Sequence, residues 1–472
     1  MHSEIELKGL HLKIIVAVVI VFVLNAIQSV TFELSYDEAY YWIYSQYLAW
    51  GYFDHPPMVA LFIKIGTLLF GHNEFGVRFM FNLASLGSFY LILKMTGKKY
   101  WALVLLTFFM MPLLSFSGLL ALPDTPLLFF TTLFFYYLQK YIDEDNVTTA
   151  LLISLTIAAM FYSKYHGLLI ILLTIMAYPK LLKRKSFYAI ALGVVLLYLP
   201  HMYWQYTHDF VSFKFHLTGR TEKHFDLMNI INFVTGQIVL LGVFNFFLFL
   251  YLFYKNKFKQ PFQRILLANS LGFLLFLLLM SFRNQIEANW SVTVAASFVI
   301  LFVPLIFREN MKRPYIVLSF LPLGLILACR IILFSPESFE VYFDNPDDPD
   351  ENRINEIIEW KNQKIPEVLL ECEGRPVVAD SYQVAAKLSF YLGLEIPALH
   401  LDSRESQYSI LKLQKKFSAS DRICFLTSED DMTSVKIETN FKDPIFVVKN
   451  TSLAELASYH GLSYEKVIRS SK

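Results

Sequence analysis

The sequence predicts an α-helical polytopic membrane protein with about eleven transmembrane helices and a small C-terminal α/β domain. Three observations carry that prediction. The 472 residues are 55% hydrophobic and 17% charged, with a mean hydropathy of +0.45, whereas a soluble domain carries roughly 25% charge. Apolar runs close to the ~20 residues a bilayer requires follow one another from Ile14 to Phe334. At Ser335 the composition turns polar. The net charge of +1, with no basic tail, argues against a nucleic-acid partner.

The N-terminal segment, with Lys8 and Lys13, leads into an apolar run over 14–30. That run is too long for a signal-peptide core and reads as an uncleaved anchor. An outer loop over 33–75 follows. Inside it, Met58–Phe70 includes Lys64 and is short for a span, so it reads as an interfacial helix. Further spans are expected near 76–96, 100–121, 125–142, 148–162, 166–179, 187–206, 230–254, 264–282, 288–307 and 314–334. The pair at 148–162 and 166–179 is the shortest. Together with the 45 Phe and 27 Tyr, which suit lipid-facing helices and aromatic belts, these runs define a membrane domain over 1–334.

Lysine and arginine in short loops favour the cytoplasm. With the N-terminus inside, the cytoplasmic connections hold Lys94, Lys98 and Lys99, then Lys180, Lys183, Arg184 and Lys185, then Lys255, Lys257 and Lys259. An odd number of spans then places the C-terminal domain outside. Nearly every unusual polar cluster falls on that outer face, so the chemistry is expected there.

Residues 335–352 read as an acidic, Pro-rich linker, and 353–472 as the extracytoplasmic α/β domain. Short buried strands are expected at 377–379, 423–426 and 445–448, and a helix over 381–392. The domain has no glycine fingerprint for a nucleotide and is assigned a modest role, covering the membrane site or recognising the acceptor. Cys329, Cys372 and Cys424 lack metal-ligand spacing. Cys372 and Cys424 can pair if their domain is exported, which spacing alone does not decide.

The candidate site starts at Ser35-Tyr36-Asp37-Glu38-Ala39-Tyr40-Tyr41-Trp42. Acids beside a membrane span are costly and are usually retained for work. A carboxylate there can take a proton from a hydroxyl or amine nucleophile while its neighbour orients that group. Asp37 and Glu38 are therefore the catalytic candidates, with Tyr36 and Tyr40 beside them for binding. The same acids also suit a capped helix start. Gly51-Tyr52-Phe53-Asp54-His55-Pro56-Pro57 adds Asp54 and His55 on a turn stiffened by two prolines; Asp54 can bind acceptor or metal, or fix the loop. Asp124, in Leu122-Pro123-Asp124-Thr125-Pro126, belongs at a helix end, as cap or as site architecture. Lys164 and His166 lie between two short spans, where Lys164 can meet a lipid phosphate or snorkel. Arg220 can grip a phosphate in two-point fashion. Arg283, Glu287 and Asn289 concentrate polar groups beside Trp290, as a sugar or phosphate site or as a helix-end ion pair.

Tyr36-Asp37-Glu38-Ala39-Tyr40-Tyr41, Gly51-Tyr52-x-Asp54-His55-Pro56-Pro57, Pro123-Asp124-x-Pro126, Lys164-Tyr165-His166-Gly167 and Glu287-Ala288-Asn289-Trp290 occur in order. In these motifs the chain resembles the polyprenyl-phosphate-sugar-dependent glycosyltransferases of GT-C type, the group of the protein O-mannosyltransferases and lipid A aminoarabinose transferases. The resemblance covers roughly residues 10–335. It implies a bacterial inner-membrane enzyme whose donor is a sugar on a polyprenyl phosphate and whose acceptor is a lipid, protein or glycan. Transfer would be inverting, with Asp37 as general base. The leaving phosphate needs cationic partners, for which Lys164, Arg220 and Arg283 are available. No cofactor is implied, and a divalent cation at the outer acids is left open. A lipid or lipid-linked-sugar flippase is the rival reading; it predicts charges near the midplane and symmetric halves, whereas here the acids gather at one face and no internal repeat is found.

Overall fold

The computed structural model describes residues 2–219, 225–335, 357, 360–399, 404–418, 420–427, 435–436 and 446–459. Arg220 and residues 336–352 of the expected linker lie outside this set. The chain is a mostly helical, multi-pass membrane protein. Among the described residues, five helical segments qualify as spans by length and apolarity: Glu74–Thr96 (α4), Lys185–Thr207 (α10), Pro261–Ser281, Asn289–Arg308 and Lys312–Phe334 (α17). A bent pair, Leu227–Leu240 (α12) and Val243–Lys255 (α13), makes a sixth where the two are counted as one broken span.

The apolar runs are thus not eleven straight helices of span length. The run over 100–121 divides into Trp101–Met110 (α5) and Pro112–Ser115 (α6), because Pro112 has no N–H to continue the ladder. The run over 230–254 turns through 91° at Gly242, whose φ of +86° is strained for any residue with a side chain. The expected short pair forms as Val147–Ser163 (α8) and Gly167–Ala177 (α9), of 17 and 11 residues. Val292–Arg308 (α16) is the central helix, with 83% of its span window buried. Helices α10 and α17 instead turn Leu192, Leu196, Val317 and Leu321 outward, as lipid-facing helices must. The guanidinium of Arg330 ties α17 to His2–Gln28 (α1), donating to Asn25 Oδ1 at 3.0 Å and Gln28 Oε1 at 2.5 Å.

The loop over 33–75 folds into Tyr36–Gln46 (α2) and Met58–Phe70 (α3). Helix α2 starts at Ser35 in a capping box: Ser35 Oγ accepts from Glu38 N at 3.3 Å, and Glu38 Oε2 accepts from Ser35 N at 3.0 Å. Helix α3 has the expected bounds. Its 13 residues cover ~20 Å, short of the ~30 Å hydrocarbon layer. Val59, Ala60 and Ile63 are buried against the protein while Leu68 and Leu69 are exposed.

The C-terminal sheet has the order β1-β2-β4-β3, from Val377–Ala379 (β1), Arg422–Thr427 (β2), Val435–Lys436 (β3) and Phe446–Ser452 (β4). The β1 and β2 strands are parallel and the other pairs antiparallel. The helix Tyr382–Leu392 begins at the Ser381 cap and lies against α2. Tyr40 meets Tyr382 at 4.6 Å between ring centroids, and Trp42 meets Phe390 at 5.3 Å. One core therefore runs from α2 and α3 into the C-terminal sheet. Glu33 adds a polar tie, its carboxylate accepting from the backbone N–H of Trp360 at 3.0 Å and of Lys361 at 2.7 Å.

Cys372 and Cys424 form a disulfide across 52 residues of sequence. Chain-entropy arguments assign such a crosslink about 4 kcal/mol. Replacing both cysteines by serine is expected to make the C-terminal domain more sensitive to limited proteolysis and to lower its thermal midpoint, while Cys329→Ser changes neither.

Candidate active site

The loop over 33–75, the helix ends of the membrane domain and the C-terminal domain together enclose a cavity of about 620 Å³. Asp37 reaches it because successive helical residues point about 100° apart. Asp37 lines the cavity, while Glu38 turns inward and is fully buried. The Arg78 guanidinium grips Glu38 bidentately, Nε to Oε1 and Nη2 to Oε2, both at 2.7 Å. Ala121 N also donates to Oε1 at 2.9 Å. Burial opposes the charge on Glu38, but Arg78 and the Ser35 and Ala121 amides outweigh it and hold the carboxyl below its ordinary value. Glu38 is thus a brace joining α2, α4 and the segment before Asp124–Asp143 (α7). It does not line the cavity, in contrast to the reading of Asp37 and Glu38 as a catalytic pair.

Asp54 is held from several sides. Tyr44 Oη donates to Asp54 Oδ1, and burial followed by the charge of Asp54 raises the Tyr44 pKa well above normal, keeping it a donor. Tyr44 in turn stacks on Tyr52 at 4.2 Å. Gly51 makes the tight approach of this loop to α10 possible, since a Cβ there would sit 2.4 Å from the Trp204 ring. His55 lines the cavity and packs edge-on against Tyr41.

A second cluster forms where α7, α8 and the segment before α16 meet. Lys164 Nζ donates to Asp124 Oδ1 at 2.7 Å, and Asn289 Nδ2 donates to Asp124 Oδ2 at 2.7 Å. The Lys164 ammonium also lies 5.3 Å from the Trp290 ring centre. Asp124 is the first residue of α7, as its Pro-flanked motif implies, and here it orients a cation and an amide toward the cavity.

Of the residues singled out by sequence, Tyr36, Asp37, Asp54, His55, Asp124, Lys164, Glu287 and Asn289 line this cavity. Four described ones do not. Tyr40 is 1% exposed, and its hydroxyl accepts from Gln407 N at 2.7 Å, so it pins the C-terminal domain. His166 packs on Trp290 at 5.0 Å and Phe273 at 6.0 Å. Arg283 is exposed outside the lining, and Glu38 is the brace described above. Sequence reasoning missed Tyr382, Gln383 and Arg404, which the C-terminal domain contributes to the wall. Phe116, Leu119, Leu120 and Leu333 make another part of the wall apolar. Among the described residues, no three His, Cys, Asp or Glu side chains cluster as a metal site would require.

A sequence profile described as dolichyl-phosphate-mannose-protein mannosyltransferase matches residues 54–204. Over 290 residues the chain is 26% identical to the lipid A galacturonosyltransferase RgtD of Rhizobium johnstonii (strain DSM 114642 / LMG 32736 / 3841). That match covers 58% of this chain and spans 60% of the relative's length. The crystal structure of apo ArnT from Cupriavidus metallidurans superposes with a TM-score of 0.65 at 12% identity, covering 92% of this chain and 97% of that one. The same protein bound to undecaprenyl phosphate gives 0.62 at 13% identity, with the same coverage. Sequence and fold alike bear out the resemblance carried by the motifs.

Proposed function

We propose that this GT-C-type membrane protein is a glycosyltransferase that moves a sugar from a polyprenyl-phosphate donor to an acceptor hydroxyl on the outer face of the membrane. One observation carries the reading: a single cavity joins an apolar wall to a cluster of acids and cations. The prenyl chain lies along Phe116, Leu119, Leu120 and Leu333, and the donor phosphate meets Lys164. Asp37 takes the proton from the acceptor hydroxyl as its oxygen bonds to the anomeric carbon. The bond from that carbon to the phosphate oxygen breaks, inverting the centre, and the lipid phosphate leaves with the electron pair. Lys164 stabilises the developing charge, fixed in place by Asp124. Glu38 and Arg78 set the position of α2 and hence of Asp37.

The outer-face orientation and a count of about eleven crossings rest on the lysine-rich connections of the opposite side. The disulfide supports the same placement, because such bonds persist in oxidising compartments. The domain bounds 1–334 and 353–472 fit the composition shift at Ser335, although the two share a core. RgtD and ArnT suggest an undecaprenyl-phosphate-linked uronic acid and a lipid A acceptor as the substrates to try first.

The test is reconstitution in liposomes with that donor and acceptor, read by mass spectrometry. Glycosylated acceptor and free polyprenyl phosphate are expected in equal amounts. Lys164→Ala is expected to lower kcat/KM by about 10–100-fold, the range of a lost charge-assisted hydrogen bond. Movement of intact donor across the bilayer without release of lipid phosphate would instead make the protein a flippase.

A further inference from the structure

We propose that Arg404, delivered by the C-terminal domain, is a substrate-binding residue whose guanidinium holds an anionic oxygen pair, phosphate or carboxylate, of the bound substrate. The inference rests on the transfer reading above and gives the C-terminal domain a direct part in the site. Arg404 lines the cavity with its side chain 44% exposed. Its guanidinium lies 5.0 Å from the Phe215 ring centre and 4.9 Å from that of Tyr382, so two aromatic rings fix it. Nη2 donates to Tyr382 Oη at 2.6 Å and stands 3.8 Å from Asp54 Oδ2, beyond hydrogen-bond reach. Nε and Nη1 meet no acceptor among the described residues. A stacked, planar fork with donors to spare matches the two oxygens of a phosphate or carboxylate.

The position is built rather than incidental. Gln407, three residues on, accepts from Phe53 N through Oε1 at 2.9 Å, and its own N–H donates to Tyr40 Oη at 2.7 Å. These bonds anchor the Arg404 segment to the residue before Asp54 and to α2. A purely structural arginine would need no charge for its bond to Tyr382, which belongs to the same domain. Lys164 is held more closely, hydrogen-bonded to Asp124 at 2.7 Å, whereas Arg404 meets Asp54 only as a 3.8 Å ion pair.

The test compares wild type with Arg404→Gln and Arg404→Lys, each purified in lipid with its unfolding temperature recorded. Polyprenyl monophosphate is titrated as a binding probe, and turnover is measured with polyprenyl-phosphate-linked uronic acid and hexose donors. Arg404→Gln is expected to lower kcat/KM by about 10–100-fold, with Arg404→Lys retaining part of the loss. Weaker binding of polyprenyl monophosphate identifies the phosphate as the held group. Unchanged monophosphate binding, with a loss confined to the uronic acid donor, identifies the sugar carboxylate. Wild-type binding and turnover with both donors, in either variant at an unaltered unfolding temperature, overturns the inference. If wild type transfers no sugar but Arg404→Gln still weakens monophosphate binding, the transfer reading fails and this one stands.

Discussion

Asp37→Asn is expected to cut sugar transfer by about 10²–10⁴-fold, the usual contribution of a positioned general base, while the protein folds and binds polyprenyl phosphate as before. The separation of chemistry from folding follows from the first turn of α2. Ser35 and Glu38 close the capping box, and Arg78 anchors Glu38, so Asp37 is not needed to start the helix. Asparagine keeps the shape and tolerates the helix start, but its amide cannot take a proton from the acceptor. Release of polyprenyl phosphate gives the rate, and thermal unfolding in detergent confirms the fold. Normal turnover in a folded Asp37→Asn protein would remove Asp37 from the chemical step.

The neighbouring acids show where sequence reading stops. Asp37 and Glu38 stand side by side in one motif and invite the same reading, yet one faces the cavity and the other is enclosed by Arg78. Which acid does which depends on where α4 places Arg78, forty residues on, and no local pattern states that. Local signals fared better. The two prolines before Met58, the 13-residue apolar run and Gly71 after it mark α3 to the residue. Pro123 and Pro126 put Asp124 at a helix start. Lysine between short apolar runs reads as a contact for a lipid phosphate or headgroup, and its pairing with Asp124 is tertiary.

What escaped were contacts that close over long chain distances. Arg404 has no motif around it; it becomes legible only once the helix Tyr382–Leu392 is seen against α2. The aromatics of α2 explain why that docking occurs. Tyr40, read as a binding residue, is instead a core residue between two parts of the chain, and Trp42 beside it is another, at 1% and 6% exposure. Composition cannot distinguish an aromatic facing lipid from one facing a second domain, because both are apolar surroundings with one polar edge. The bend in the 230–254 run was hidden for a different reason: hydropathy averages over Gly242, while the backbone turns on it.

Arg78→Met should be the most destabilising single change around the site, at about 3–5 kcal/mol, the cost of leaving one member of a buried ion pair alone. Arg78 is fully buried beside an equally buried Glu38. Besides the two bonds to Glu38, it donates to the carbonyls of Ser29, Phe32 and Glu33 at 2.8, 3.0 and 2.8 Å. Its guanidinium also lies 4.1 Å over the Phe32 ring. Methionine fills much of the volume and supplies none of these donors. The sign with pH follows from Glu38. In the wild type its pKa is lowered on folding, so the pair contributes stability above the unfolded value of 4.5, and that contribution is lost as pH falls through the folded value. Without Arg78 the leading influence on Glu38 is burial, which raises its pKa. The variant then suffers most near neutral pH, and its deficit against wild type narrows as acid protonates Glu38. Thermal unfolding in detergent at neutral and mildly acidic pH measures both effects. Adding Glu38→Gln removes the stranded charge, so the double variant is expected to be more stable than Arg78→Met at neutral pH. A double variant less stable than the single one would mean that Glu38 contributes through its amide contacts to Ser35 and Ala121 rather than through its charge.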